Sequence, residues 1–578
     1  MLPVRKRWGT CLFWGCQLLS FYIKQTSDLC DLLKTTIFAI DSGKSLQFKN
    51  EYIMAEKRRY PVGLQTFADV VNLDCVYIDK TEYVYKMAQS PSKNFFLSRP
   101  RRFGKSLFVS TLKAYFEGRK ELFKGLAIEK LEKDWTKYPV LRLDLSQGKY
   151  FNLANTLDTL EFILEQNERE YGIKGNKSDS FNRRLTAIIQ EAYRQTGRKV
   201  VVLIDEYDAP MLDSIHKPEL QEQIRERVRD LFSPLKAQSD YLHKVFLTGI
   251  SKFSQLSVFS ELNNLKDMTF DLEYEGVCGI TEEELLTQMK PDIEWLAESM
   301  GYTYDETVSE LKRRYDGYHF CKRMTDVYNP WSLIYAFDSG DIGDYWFTTG
   351  TPTSLIEILR EKDMDIPELE GLETFLARFD APTERITDPV PVLFQSGYLT
   401  LKDYDRESDL YTLGFPNREV STGFANCLYQ YYIPPVTGTK EQMLKAYRLF
   451  RVKKVTLDDF LDAIRQWYAS IPYSITDRNQ NEQLYQSLLY ALLVAVGADV
   501  HAEQQTSDGR MDISLKMSDA IYILEFKYAK TQEEALEQVK KKDYAVVFAS
   551  DPRPVYAVPM NVDAKKRTIE KPQVERLK

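Results

Sequence analysis

Residues 99–106 read Arg-Pro-Arg-Arg-Phe-Gly-Lys-Ser, between an apolar stretch at 95–98 and a helical stretch from Ser106 to Phe116. A strand that turns at Gly-Lys-Ser into a helix aims backbone N–H groups and an ammonium at one point, the arrangement that cradles phosphates. Farther along, Val-Val-Leu-Ile-Asp-Glu at 201–206 closes an apolar run with two carboxylates. Together they predict the halves of a nucleoside-triphosphate site. The Ser106 hydroxyl and the Asp205 carboxylate would share a magnesium ion, and Glu206 would orient the attacking water. One position departs from the pattern G-x-x-x-x-G-K-[ST], because Arg99 stands where glycine is expected. Arginine lacks glycine's backbone freedom, and with Arg101, Arg102 and Lys105 it makes half of the loop basic. The three arginines are read either as phosphate or transition-state ligands or as a solvated loop.

Around this loop the pattern alternates strand and helix, which predicts an α/β fold with a parallel sheet. Strands are expected at 95–98, 139–145, 199–204 and 244–248, with a fifth at 268–272, and helices at 106–116, 153–169, 181–195 and 217–231. The Asp205-Glu206 strand is expected beside the phosphate loop. After residue 280 the chain turns helical; Thr281 followed by three glutamates is a helix start, and this region is read as a lid over the nucleotide. A helix ending near Gly397, then Tyr398–Lys402 and Leu410–Leu413 as a hairpin, forms a winged-helix pattern. Residues 440–470 are helical again, and the polar stretch 475–482 marks the start of a last domain. The expected division is 54–280 for the phosphate-loop domain, 281–385 for the lid, 386–475 for winged helix and connector, and 476–578 for the last domain.

The chain has 578 residues, 43% apolar and 28% charged, with a net charge of −8. That excludes a generally basic nucleic-acid coat, so any DNA or RNA contact is a local patch. Seven cysteines without metal or disulfide spacing and four histidines argue against zinc and for a reducing compartment. Arg5-Lys6-Arg7 before the uncharged run 8–23 imitates a signal peptide. The run is short for a bilayer helix, which needs about 20 apolar residues. Residues 1–53 are expected to lie outside the folded protein, whose natural start is placed near Met54.

The last domain carries a second constellation, Gly509-Arg-Met-Asp-Ile-Ser-Leu-Lys-Met-Ser-Asp-Ala-Ile-Tyr-Ile-Leu-Glu-Phe-Lys527. Glu525 and Lys527 are two apart on a strand and share a face. With Ser518-Asp519 as a two-residue turn, Asp512 falls opposite Glu525, while Met511, Ile513 and Leu515 stack against Phe526, Leu524 and Tyr522 on a dry face. Two adjacent carboxylates need a cation, and hard oxygen ligands suit magnesium. Lys527 beside it would position or deprotonate a water for attack on a phosphodiester. Glu482, at the start of the preceding helix, is a candidate further metal ligand, and Gln538 on the following helix could face the same site. His319 is read as a hydrogen-bonded packing residue, and Asp208 as a partner of the magnesium site or a helix cap.

This order of elements resembles the PD-(D/E)XK nuclease superfamily over residues 480–550, with Met511 where that motif has proline. The front motifs, 99–107, Leu-Ile-Asp-Glu-Tyr-Asp-Ala-Pro (203–210), Leu-Thr-Gly-Ile-Ser-Lys-Phe (247–253) and Tyr-Asp-Gly-Tyr-His-Phe (315–320), resemble the AAA-ATPase-like proteins that bacteria fuse to such a domain. The resemblance implies a bacterial, cytoplasmic protein that binds ATP and magnesium through Arg102, Gly104, Lys105, Ser106 and Asp205. It makes Glu206 the catalytic carboxylate that orients the attacking water, puts Thr248 at the sensor of the bound phosphate, and gives a restriction-endonuclease-like tail with Asp512, Glu525 and Lys527 as catalytic residues. The function expected is nucleotide control of a nuclease acting on nucleic acid, DNA ahead of RNA, without membrane contact and compatible with an oligomer. The rival from another class is a non-catalytic nucleotide sensor or scaffold that uses the nuclease fold only to bind DNA.

Overall fold

The structure is a computed structural model that describes residues 57–252, 265–347, 369–379, 388–432, 439–471, 482–506, 509–566 and 568–578. The stretch 1–53 lies outside the described residues. The front half is built on β1 (Asn94–Ser98), α1 (Lys105–Phe116), β2 (Val140–Asp144), α2 (Leu153–Glu170), α3 (Phe181–Thr196), β3 (Val200–Asp205), α4 (Pro218–Phe232), β4 (Leu242–Gly249) and β5 (Leu265–Asp267). The five strands form one parallel sheet in the order β2-β3-β4-β1-β5. Strands such as Val-Val-Val-Leu-Ile-Asp are buried along their whole length, as a parallel sheet covered on both faces requires. The Asp-Glu strand is therefore not beside the phosphate-loop strand: β4 stands between them and sets Asp205 one strand away from the end of β1. The fifth strand also falls earlier than expected, at 265–267. Asp267 and Asp271 accept from the N–H groups of Thr269 and Glu273, and such side-chain turns divert the chain from the ladder.

Four helices follow, α5 (Glu282–Gln288), α6 (Lys290–Met300), α7 (Tyr304–Tyr315) and α8 (Pro330–Ser339). The expected start at Thr281 is a complete capping box with Glu284. Ile280, Leu285, Ile293, Leu311 and Phe337 close a separate apolar core under these helices. Next, β6 (Leu372–Thr374), α9 (Val390–Gln395), β7 (Thr400–Asp405) and β8 (Leu410–Gly414) place a short helix before an antiparallel hairpin, and β6 adds a third strand. That third strand comes from the chain ahead of residue 386. Then come α10 (Arg418–Tyr432), α11 (Thr439–Arg451), α12 (Leu457–Ala469) and α13 (Glu482–Ala495).

The C-terminal sheet runs β9 (Asp499–Thr506), β10 (Gly509–Lys516), β11 (Ile521–Tyr528) and, after α14 (Gln532–Lys541), β12 (Val555–Asp563), extended by two short strands. β10 pairs β11 as Ile513 with Leu524 through Lys516 with Ile521, the register the two-residue turn dictates, with Met517 N–H bonded to Ala520. Met511 departs from the expected dry face. Ile513, Leu515, Leu524 and Phe526 share one cluster, whereas Met511 joins Ile521, Ile523 and Val539 on the other side. The cause is local: the β10–β11 ladder stops at Ile513, and the Asp512 carboxylate takes the Phe526 N–H instead.

One buried ion pair locks α2 to α3, with Arg184 Nε 2.8 Å from Glu168 Oε1 and both side chains nearly inaccessible. Removing one partner leaves an uncompensated buried charge, so Glu168→Ala should lower stability by about 3–5 kcal/mol in urea denaturation, while methionine at both positions recovers most of the loss.

Candidate functional site

Gly104 caps α1 at φ 93° and Arg102 sits at φ 66°, so the left-handed backbone of the phosphate loop falls at these two residues. Position 99 has no positive φ, and arginine is tolerated there because the fold does not ask it for glycine's conformation. Its side chain turns away from the loop. Arg99 is 1% exposed, donates to the carbonyls of Ser98 and Thr269 at 2.9 Å and of Tyr274 at 3.2 Å, and lies 4.1 Å over the Phe320 ring. Burial lowers its pKa to about 10, still a cation at neutral pH. Neither reading offered for Arg99, phosphate ligand or solvated residue, describes it: it is an interior anchor of the loop. Arg102 is exposed and stacks 3.8 Å from Trp331 on α8.

Lys105 is almost fully buried, and its ammonium donates to the carbonyls of Arg99 and Pro100, each at 3.1 Å. Glu206 Oε1 lies 3.4 Å from the same ammonium, on a residue held at φ 49°, a conformation costly for a side chain with a Cβ. Asp205 Oδ1 is buried without a partner. Burial, then Glu206 and Asp144, push its carboxyl up to about 6 against a hydrogen bond from Ser106. An orphaned carboxylate oxygen beside a hydroxyl is what a magnesium ion with its nucleotide phosphate would complete, so these residues fit that group. Beside them opens a cleft of about 420 Å³ whose wall includes Gly104, Lys105, Ser106, Glu206, Pro61 and Trp331. Thr248 is not on that wall; it is fully buried at the end of β4 and donates to the Leu97 carbonyl at 2.8 Å. Asp208 neither caps a helix with its side chain nor faces the cleft. Its Oδ2 accepts from Ile250 N at 3.0 Å and Ser251 N at 2.6 Å, fastening the turn after β4.

At the other site, Lys527 Nζ lies 3.3 Å from Glu482 Oε2, 3.4 Å from Glu525 Oε1 and 2.6 Å from the Phe526 carbonyl. Glu525 is fully buried, its Oε2 has no partner, and burial and the neighbouring Asp512 push its carboxyl up to about 8. Burial works against the Lys527 charge, but Glu525, Glu482 and Asp512 outweigh it and raise its pKa. Glu482, expected among the metal ligands, is thus set against Lys527. Among the described residues no three His, Cys, Asp or Glu side chains gather as one metal shell. The two strand carboxylates, one with a buried oxygen lacking a partner, fit a hard cation. Gln538 reaches the Tyr544 hydroxyl at 3.5 Å, which in turn donates to the Arg510 carbonyl. His319 is held between the Leu401 carbonyl at 2.7 Å and Asp326 at 2.9 Å, a structural bridge from the segment after α7 to the hairpin.

Residues 61–259 match the AAA-ATPase-like family, described as "Predicted AAA-ATPase", and residues 480–572 match the PD-(D/E)XK nuclease superfamily. Over 531 residues the chain is 32% identical to "Uncharacterized protein in vnfD 5'region" of Azotobacter chroococcum mcd 1, covering 89% of this chain and 98% of that protein. The chain belongs to the AAA-ATPase-like family and ends in a PD-(D/E)XK nuclease superfamily domain. Two solved structures also align with it. The Aeropyrum pernix ORC2 protein in ADPNP-ADP complexes is 12% identical, covering 64% of this chain and 94% of its own, with a TM-score of 0.23. The Aeropyrum pernix ORC1 protein in complex with DNA is 10% identical, covering 60% and 92%, with the same TM-score of 0.23.

Three residues of this AAA-ATPase-like protein escaped the sequence reading. Arg142, 3.5 Å from Asp205 Oδ2 and 3.1 Å from Asp144, had a signal in the charge it puts between two leucines of a mostly buried strand. Gln486, buried and donating to the Asp512 carbonyl at 3.3 Å, lies one helical turn after Glu482, a polar position on an apolar helix. Trp331 had none, because its place against Arg102 depends on tertiary packing alone.

Restoring the motif with Arg99→Gly strands three carbonyls and should cost about 3 kcal/mol in denaturant unfolding without raising nucleotide affinity. A second expectation concerns pH. A carboxyl raised from 4.5 to about 8 contributes stability that is full below 4.5 and lost as pH rises through 8. Magnesium needs the ionised form, so the gain in Tm from magnesium over EDTA should grow between roughly pH 6 and 9 and vanish in Glu525→Gln.

Proposed function

We propose that nucleotide bound at the 99–106 loop governs magnesium-dependent cleavage of nucleic acid by the C-terminal domain. The observation that carries the reading is the meeting of Asp512, Glu525 and Lys527 at one end of the β10–β11 pair, with a buried carboxylate oxygen left over. Asp512 and Glu525 would hold a magnesium ion, which would supply Lewis acidity and lower the pKa of a water so that it attacks phosphorus as hydroxide. Lys527, kept charged by three carboxylates, donates to the charge that develops on the phosphate, a role its raised pKa suits better than that of a base. Glu482 orients that ammonium, and Gln486 steadies the backbone that bears Asp512.

At the front site Lys105 exchanges its two loop carbonyls for phosphate oxygens. Ser106 and Asp205 would hold the cation of the nucleotide, Glu206 is released from Lys105 to orient water, and Arg102, with Trp331 behind it, closes over the nucleotide. Thr248, set between the strands of the loop and of Asp205, senses the phosphate through the sheet. Nucleic acid, DNA ahead of RNA, is proposed on the strength of the nuclease superfamily. The cytoplasm is proposed because the described cysteines, Cys75, Cys278, Cys321 and Cys427, are free thiols; no described helix is long and apolar enough to cross a membrane.

A second reading, nucleotide sensing without turnover, is favoured by one observation: Glu206 is held by Lys105 in a strained conformation. ATP turnover and magnesium-dependent cleavage of DNA and RNA by the full chain separate the two. Lys527→Ala should lower cleavage by about 100-fold or more and leave ATP turnover in place. Lys105→Ala should abolish nucleotide binding and the effect of nucleotide on cleavage. Wild-type protein that binds ATP without consuming it supports the sensor, and cleavage indifferent to Lys527→Ala removes the nuclease reading.

A further inference from the structure

The segment between the two sites has a definite wiring. Glu419, in the first turn of α10, is fully buried, with Trp346 N donating to its Oε1 at 2.6 Å and the Ser332 hydroxyl to its Oε2 at 2.7 Å. Both donors lead back to the phosphate loop. The Trp346 indole donates to the Arg101 carbonyl at 3.0 Å, and Ser332 follows Trp331, the ring on which Arg102 stacks. Two consecutive loop residues thus bear on one carboxylate, which burial pushes up to about 7.

The neighbouring residue faces the other way. Arg418 donates to the Gly497 carbonyl at 3.3 Å, just past the end of α13, where a helix leaves carbonyls unmet and favours a cation. Gly497, at φ 78°, and Ala498 close that end by bonding back to Val494 and Leu493. α10 lies along α13, and α13 carries Glu482 and Gln486, which touch Lys527 and the Asp512 backbone. One turn farther on, Gly423 leaves room for the Phe347 ring: a Cβ there would come within 2.3 Å of it.

We infer that Arg418 and Glu419 form the joint through which nucleotide at the loop repositions the nuclease helix α13, an inference that rests on the control reading above. The loop has a physical reason to move. Lys105 must release the carbonyls of Arg99 and Pro100 when phosphate arrives, and these lie directly before Arg101, the residue Trp346 holds. The displacement passes through Trp346 and α8 to Glu419, and Arg418 hands it to the end of α13. Arg418 and Glu419 are positioning residues and touch neither reacting centre.

The test is amide hydrogen exchange on the full chain, without nucleotide and with magnesium plus ADP or a non-hydrolysable ATP analogue, alongside DNA cleavage. Wild type should show exchange across 482–495 altered about tenfold by nucleotide. Arg418→Ala should reduce that change to less than about twofold with nucleotide affinity kept, Arg418→Lys should restore part of it, and Gly423→Ala, which displaces Phe347, should weaken it independently. Should the change persist undiminished in both Arg418→Ala and Gly423→Ala while nucleotide still binds, the joint is wrong and nucleotide control stands. Cleavage that responds to nucleotide without any change across 482–495 also overturns the joint. Wild-type cleavage and 482–495 exchange both indifferent to nucleotide overturn the control reading itself.

Discussion

A strand covered on both faces can carry charge only where its apolar run ends or where another group completes the charge, and this constraint places both sites. In β3 the run ends at Asp205; in β11 Glu525 and Lys527 break it on a strand buried from Ile521 to Lys527. Each strand leaves one carboxylate oxygen buried and unpartnered. Desolvation of a lone carboxylate favours its neutral form, which is the direction taken by both Asp205 and Glu525. The rest of each site is arranged around that cost, with Ser106 and Arg142 at the front and Lys527 at the rear.

The altered loop follows from the same logic. Glycine at its first position is dispensable when the backbone there is ordinary, and here the unusual dihedrals fall at Arg102 and Gly104. What Arg99 adds is an anchor: three carbonyl bonds and the Phe320 ring fix the entry to the loop. Phe320 belongs to the Tyr-Asp-Gly-Tyr-His-Phe stretch, so the loop and that distant stretch form one packed unit. Past Pro100 the loop makes its contacts with Trp331 and Trp346.

What was legible in the sequence was what local period and turn chemistry control. The alternation of strand and helix, the capping box at Thr281 and the Ser518-Asp519 turn with its register all rest on neighbours a few residues apart. The losses share an opposite cause. The insertion of β4 between β1 and β3 is a choice among crossovers that no local pattern encodes. Met511 left its expected face because a side chain replaced a ladder bond at Asp512, a tertiary event on a sound strand. Glu482 and Lys527 both stand out in the sequence, yet their approach to each other depends on how α13 lies over the sheet.

Through the proposed joint the two sites would be tied thermodynamically as well as mechanically. A cation bound to the ionised form of Glu525 would stabilise the rear sheet, and a nucleotide with its cation at Asp205 would stabilise the front one, each by its own binding free energy. If α10 transmits the first event to the second, it transmits the second to the first by the same factor, because coupling between binding events is reciprocal. The position of Glu419 gives that coupling a material limit. A buried carboxylate held by two neutral donors has no cheap alternative partner, so α10 and the loop contacts above it move together or separate altogether. A joint of this kind favours two discrete arrangements over a graded response.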